Sequence, residues 1–118
     1  MQNQSRKLQI INPSDLPYED KGQGKKERML ASKASGSECV SFAQFITSKE
    51  GAVSKGVVYP GHDELVYFLT GRGEISVDGE KTIVEPGGFF FVPDGVVYDF
   101  AVLEAPIEMI VVFSPPRE

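Results

Sequence analysis

Short apolar segments separated by glycine and proline corners repeat from Cys39 to the end of the chain, and this repetition constrains the fold more than any other feature. The segments are rich in Val, Ile, Phe and Tyr, which favour strands. They predict strands near residues 39–47, 55–59, 64–70, 73–77, 81–84, 89–92, 96–103 and 107–113. No segment shows convincing helical periodicity. The pattern therefore predicts an all-β sandwich or barrel.

The turns between these segments have recognisable sequences. Asp78-Gly79 is the dipeptide favoured by a type I′ hairpin turn, in which both central residues need positive φ. Further corners are expected at residues 60–61, 71–73, 86–88 and 93–95, where glycine combines with Pro, Asp or Arg.

The first third of the chain differs in amino-acid composition from the rest. Residues 13–36 carry two prolines, three glycines and many charges, so we interpret them as loop. One short strand is expected at 8–11, and one helical turn can start at Ser14. The predicted organisation is an N-terminal arm and loop at 1–37 and a barrel at 38–118, in one domain overall.

Composition excludes several classes of partner. A chain of 118 residues with 41% hydrophobic and 25% charged residues suits one globular domain. Its net charge of -5 argues against a phosphate backbone, so no nucleic acid is expected. We expect no membrane span, because no apolar run approaches the roughly 18 residues needed. A single cysteine and no signal peptide favour the cytoplasm.

Two stretches resemble the motifs of the cupin superfamily. The first cupin motif consists of a glycine, five residues, H-x-H, three or four residues, a glutamate, six residues and a final glycine. Residues 56–71 (GVVYPGHDELVYFLTG) match its glutamate and its final glycine. The second cupin motif consists of a glycine, five residues, P-x-G, two residues, a histidine, three residues and an asparagine. Residues 87–102 (GGFFFVPDGVVYDFAV) match its glycines and its proline. The resemblance covers roughly residues 38–115. It implies a cupin-type double-stranded β-helix, a jelly-roll barrel, here with an N-terminal arm, and a homodimer.

The metal-binding positions of these motifs have changed. In an ungapped alignment, the H-x-H histidines fall on Val57 and Tyr59, the second-motif histidine on Tyr98, and the asparagine on Val102. The resemblance thus leaves only Glu64 of the four usual ligands, and metal affinity depends on the ligand set. We expect a degenerate metal site and no cofactor.

Glu64 is the first candidate catalytic residue. Strand geometry places it on one face with Val66 and Phe68, pointing into the barrel. A carboxylate among apolar groups has a raised pKa, which suits a general acid or base. The alternative is a rim glutamate that accepts a hydrogen bond from the backbone or a tyrosine.

Tyr59 and Tyr98 replace histidines that would converge on the cavity, so both hydroxyls are candidates to meet Glu64. A phenol can donate a hydrogen bond to a bound carbonyl or take part in acid–base chemistry. Alternatively, the rings simply fill the barrel. The predicted ligand-binding set is Val57, Tyr59, His62, Glu64, Val66, Phe68, Tyr98 and Phe100, with Glu64, Tyr59 and Tyr98 as the catalytic residues.

His62 is the only histidine. It precedes the motif strand and can replace a lost ligand, giving a divalent metal site with Asp63 or Glu64. The alternative is a solvent-facing loop histidine.

Three functions follow from these residues. The first is a small-molecule-binding cupin that carries out acid–base isomerisation, cyclisation or lyase chemistry on a small organic ligand, with its metal site largely lost. The second is a metal-dependent dioxygenase or isomerase with an atypical His62 and Glu64 site. The third is a noncatalytic sensor or accessory protein, so the sequence leaves open whether the chain is an enzyme.

Overall fold

The computed structural model describes residues 7–117 and confirms the all-β prediction. Two single-turn 3-10 helices, Pro13–Asp15 and Lys33–Ser35, lie near the N-terminus. The strands are β1 (Glu19–Gly22), β2 (Lys25–Ala31), β3 (Ser41–Thr47), β4 (Val53–Val57), β5 (Asp63–Val77), β6 (Glu80–Val84), β7 (Phe89–Val92) and β8 (Tyr98–Ser114).

Two long strands organise the barrel. β5 and β8 pair antiparallel along most of their length, from Asp63 opposite Ser114 to Ser76 opposite Asp99. The first half of β5 also pairs with β7 and its second half with β6. Similarly, β8 pairs with β4 through its first half and with β3 through its second. The two long strands are therefore shared by two sheet layers, with the core between them.

β5 bends where the layers meet. Its register with β8 shifts between Phe68 and Gly73, and Gly71 has a φ of +83°. A Cβ on Gly71 would lie only 2.5 Å from the carbonyl oxygen of Pro106 on β8. The corner predicted at 71–73 is a bend within β5 and not a turn between two separate strands, because both halves of β5 stay paired with β8. The predicted strands at 96–103 and 107–113 likewise form the single strand β8.

The N-terminal region also departs from the prediction. The expected loop at 13–36 contains β1 and β2, and β2 pairs with β3 from Lys25 opposite Thr47 to Ala31 opposite Phe42. The many charged residues of this segment favoured a loop, but β1 is the edge strand of the sheet, where charged side chains are common, and β2 lies between β1 and β3. The expected strand at 8–11 is not formed in the described chain, whereas the helical turn at Ser14 is present as a 3-10 turn. Residues 1–6 of the predicted arm and Glu118 of the predicted barrel lie outside the described residues.

The hairpin at Asp78-Gly79 is confirmed. It joins β5 to β6, and Val77 lies opposite Glu80. Both turn residues have positive φ, 50° for Asp78 and 82° for Gly79, as the type I′ geometry requires.

Alternating inward side chains of β3, β5 and β8 build the core. The buried residues of β8 alternate along both of its halves: Tyr98, Phe100, Val102, Ile107, Met109, Val111 and Phe113. Phe68 and Phe113 are the largest fully buried side chains. Among residues 7–117, no helix is long and apolar enough to cross a bilayer.

Candidate functional site

A cavity of about 50 Å³ lies inside the barrel, between the two sheet layers. Six side chains predicted to bind a ligand line it: Val57, Tyr59, Glu64, Val66, Tyr98 and Phe100. Four further apolar side chains complete the wall: Phe45, Phe90, Met109 and Val111. Three polar side chains also line the cavity: Lys25, Thr47 and Ser54. The cavity is therefore mostly apolar, with polar groups at a few points.

Glu64 and Tyr98 form a buried pair on the cavity wall. Glu64 is 4% exposed and Tyr98 is 7% exposed. The Tyr98 hydroxyl donates a hydrogen bond of 3.0 Å to Oε1 of Glu64. The inward direction predicted for Glu64 is confirmed, since Val66 and Phe68 on the same face are also buried.

Burial in the barrel raises the pKa values of both side chains of this pair. Burial raises the pKa of Glu64 from 4.5 to about 7, against the opposing effects of the Tyr98 hydrogen bond and the positive charge of Arg117. Burial, and then the negative charge of Glu64, raise the pKa of Tyr98, so its phenol keeps its proton. At neutral pH Glu64 populates both protonation states, and it can therefore accept or donate a proton.

Tyr59 lines the same cavity. Its ring packs edge-on against Phe113, with centroids 4.7 Å apart, and the guanidinium carbon of Arg117 lies 5.4 Å from its centroid. Burial raises the pKa of Tyr59, followed by the charge of Glu64, while Arg117 opposes the rise. Tyr59 is therefore a second protonated phenol at this site.

Arg117 is held over this end of the barrel by Glu27. The two side chains form an ion pair in which both are mostly shielded from solvent, and Glu27 is 5% exposed. The backbone N–H of Arg117 also donates to Oγ of Ser41 at 2.8 Å. These contacts hold the end of the described chain next to Tyr59 and Phe113.

Two of the predicted ligand-binding residues lie elsewhere. Phe68 is fully buried in the core and does not line the cavity. His62 is half-buried beside Phe113, and its Nδ1 lies 2.7 Å from the carbonyl oxygen of Pro115. Because a carbonyl only accepts hydrogen bonds, Nδ1 carries the proton in this contact. His62 does not line the cavity that contains Glu64, and its role as a ligand-binding or metal-binding residue stays a prediction.

The side chains at the motif positions do not fit the usual cupin metal. Val57, Tyr59, Glu64 and Tyr98 line one cavity, as the alignment implies, but they offer one carboxylate, two protonated phenols and an alkyl group. Within residues 7–117, no three His, Cys, Asp or Glu side chains are grouped so as to hold a metal ion. This donor set lacks the imidazoles that bind transition metals.

The part of the cavity wall formed by β2, β3 and the second half of β8 was not predicted from the sequence. Residues Phe45, Met109 and Val111 follow the alternation of buried and exposed positions on their strands, which was a usable signal. Lys25 and Glu27 were missed because β2 was interpreted as loop. Arg117 gave no local signal, since its place depends on long-range pairing with Glu27.

Comparison with known proteins places the chain in a family. An uncharacterized protein, SCO3923 of Streptomyces coelicolor, is 39% identical over 55 residues, which span 47% of this chain and about half (52%) of that protein. The pectin degradation protein KdgF of Dickeya dadantii is 28% identical over 104 residues, covering 87% of this chain and 89% of the relative. The structure of KdgF from Halomonas sp. superposes with a TM-score of 0.81 at 23% identity, over 92% of this chain and 96% of that one. The cupin domain family matches residues 45–113, which is more than half of the chain, and the chain therefore belongs to the cupin family.

Proposed function

We propose that this cupin binds a small organic molecule in its barrel and moves a proton on that molecule with Glu64, without the usual cupin metal. The observation that carries the proposal is the buried hydrogen-bonded pair of Glu64 and Tyr98 on the cavity wall. A carboxyl with a pKa of about 7 is poised to exchange protons near neutral pH.

The geometry suggests a role for each oxygen. Tyr98 donates to Oε1 of Glu64, which leaves Oε2 as the oxygen that accepts a proton from the ligand. The carboxylate takes a proton from a carbon next to a carbonyl, and the C–H electron pair moves onto the carbonyl oxygen. Tyr59, a protonated phenol on the same cavity, donates a hydrogen bond to that oxygen as its negative charge develops. Return of the proton at a different atom is an isomerisation, and loss of a leaving group instead is a lyase reaction.

The name of one relative supports a choice of first substrates. KdgF of Dickeya dadantii is a pectin degradation protein, and pectin is a polymer of uronic acids. The cavity of about 50 Å³ holds only a few water molecules. We therefore propose that the substrate is a small sugar acid or keto acid. Its reacting end enters the cavity.

The test follows proton exchange in deuterated water by NMR. Purified protein is incubated with the products of exhaustive pectin digestion and with small keto acids. We expect solvent deuterium to enter the product with the wild type and with Glu80→Gln, a matched change of an exposed glutamate. Glu64→Gln should slow exchange by at least about 100-fold, the usual contribution of a general acid or base.

Other outcomes of the same assay favour the other functions. Exchange that requires an added divalent metal, and that His62→Ala abolishes, would support the metal-dependent enzyme. Saturable binding without exchange would support a noncatalytic sensor. Equal exchange rates for the wild type and Glu64→Gln would refute the assigned role of Glu64.

We also propose that the chain forms a homodimer through an outer face of the barrel. Leu65 and Tyr67 of β5 lie opposite Phe91 and Phe89 of β7, and these four side chains are 40%, 44%, 56% and 67% exposed. Contiguous exposed apolar patches mark interaction sites, and a two-fold axis would cover this face on both copies at once.

Sedimentation analysis tests this interface. The wild type should sediment as a dimer and the double variant Phe89→Ser, Phe91→Ser as a monomer. Val97→Ser removes an apolar side chain that is 51% exposed outside this face, and it should remain dimeric. A monomeric wild type, or a dimeric double variant, would contradict the proposal.

A further inference from the structure

A second chamber adjoins the Glu64 cavity beneath the β1–β2 hairpin. Its volume is about 70 Å³. Lys25, Thr47, Ser54 and Phe100 line both spaces. A ligand whose reacting end lies at Glu64 can therefore extend past these four side chains.

Lys25 places a positive charge at this junction. It is the first residue of β2 and lies directly opposite Thr47 of β3, so both side chains share the inward face. Lys25 Nζ is 3.3 Å from Oγ of Ser54 on β4. Three different strands thus bring the ammonium and two hydroxyls together on the cavity wall.

The ammonium of Lys25 has spare hydrogen-bonding capacity. Within the described part of the chain it forms no ion pair with a carboxylate, and its one side-chain hydrogen bond is to Ser54. An ammonium has three donors, so two remain. Lys21 on the same hairpin differs, because its Nζ is 2.9 Å from Glu19 and 3.9 Å from Glu27.

The surroundings of Lys25 favour an anion. The side chain is half-buried and the neighbouring wall includes Phe45 and Phe100. A partly desolvated charge without an opposite charge is unfavourable, and a bound anion would remove this cost. Thr47, which is 3% exposed, adds a hydroxyl to the same side of the cavity.

We propose that Lys25, Ser54 and Thr47 form a subsite for the carboxylate of a small organic acid, which directs the rest of the ligand toward Glu64 and Tyr98. This inference rests on the proposed function for the direction of the ligand, but the anion site can be tested alone. A carboxylate suits one lysine because the two charges are equal and opposite. A phosphate monoester would keep part of its charge unpaired in an apolar cavity.

The experiment is a backbone-amide NMR titration with propionate and with propionamide at constant ionic strength. The two probes have nearly the same shape, and only propionate is charged. We expect propionate to perturb the amides of Lys25, Thr47 and Ser54 saturably, with at least tenfold tighter binding than propionamide. Lys25→Met should weaken propionate binding at least tenfold and leave propionamide binding unchanged.

The next residue of β2 provides the matched control. Lys26 is exposed and lies on the opposite face of the strand, so Lys26→Met should bind propionate as the wild type does. Ser54→Ala is a second variant that removes the hydroxyl while it keeps the lysine, and it should weaken propionate binding several-fold. Equal affinity for propionate and propionamide in the wild type would overturn the subsite without any variant. Tighter binding of inorganic phosphate than of propionate would overturn its assignment to carboxylates.

The subsite and the proposed function can fail separately. Glu64→Gln leaves Lys25, Ser54 and Thr47 intact, so it should retain propionate binding while it loses proton exchange. If propionate fails to bind but the wild type still catalyses exchange through Glu64, only the subsite is wrong. If Glu64→Gln retains both exchange and propionate binding, only the role of Glu64 is wrong.

Discussion

Replacement of Glu64 by glutamine should change how the stability of the protein depends on pH. The pKa of Glu64 is about 7 in the folded protein, against 4.5 for an unperturbed glutamate. Below pH 4.5 the carboxyl is protonated in both the folded and the unfolded chain, and it has no effect on the pH dependence. Between pH 4.5 and about 7 the unfolded chain ionises first, so rising pH favours unfolding. Above about 7 the loss is complete.

The size of this loss follows from the two pKa values. Each pH unit between them corresponds to about 1.4 kcal/mol, which gives a total of about 3 kcal/mol. Glutamine has nearly the same shape and no charge, and its carbonyl oxygen can still accept the Tyr98 hydrogen bond. The free energy of unfolding of Glu64→Gln, relative to the wild type, should therefore increase by about 3 kcal/mol from pH 4 to pH 8.

Urea unfolding at a series of pH values measures this difference. Glu80→Gln is the control, because Glu80 is exposed on β6, and its stability relative to the wild type should change little with pH. If the stability of Glu64→Gln instead changes with pH in parallel with that of the wild type, the carboxyl of Glu64 ionises equally easily in the folded and unfolded chains, and its pKa is not raised.

Further predictions concern the hydrogen bond at the site, the bend of β5 and the metal content. Tyr98→Phe removes the hydrogen bond that lowers the pKa of Glu64, so NMR titration should show a higher pKa than in the wild type, with a loss of about 1 kcal/mol of stability near neutral pH; an unchanged or lower pKa would contradict this. Gly71→Ala combines positive φ with a Cβ only 2.5 Å from a backbone oxygen. It should lower the free energy of unfolding, measured in urea, by at least about 3 kcal/mol. Gly61 has a similar φ of +87°, but no atom lies within 4 Å of an added Cβ, so Gly61→Ala should lower the free energy of unfolding by only about 1 kcal/mol. Equal losses for the two variants would contradict the close approach at Gly71. Elemental analysis of protein purified without a metal-affinity tag should find no stoichiometric transition metal, because the site lacks the necessary ligands, and stoichiometric iron, manganese, nickel or zinc would contradict that.

The sequence predicts most of the barrel because local patterns determine its parts. The Asp78-Gly79 turn needs only its own two residues, and the inward direction of Glu64 follows from strand alternation. The bend at Gly71 could not be distinguished from a turn, because the difference lies in the pairing of β5 with β8. Pairing between distant strands has no local sequence signal.

The same distinction applies to the site. The cavity positions of Tyr59 and Tyr98 follow from the spacing of the two cupin motifs. Lys25 was missed because the lysine- and glycine-rich segment around it resembles a loop, and its pairing with β3 has no local sequence signal. Arg117 lies near Tyr59 through an ion pair with Glu27, 90 residues earlier in the chain, and no nearby sequence indicates such a contact.

We propose that Glu64 exchanges protons inside the cupin barrel and is not a metal ligand. The most direct measurement is a carbon-13 NMR titration of the Glu64 carboxyl, with and without added nickel or zinc. We expect a midpoint near pH 7 that the metal does not change. A midpoint near 4.5 would show that burial does not raise the pKa of Glu64, and a midpoint that falls when metal is added would show that Glu64 is a metal ligand.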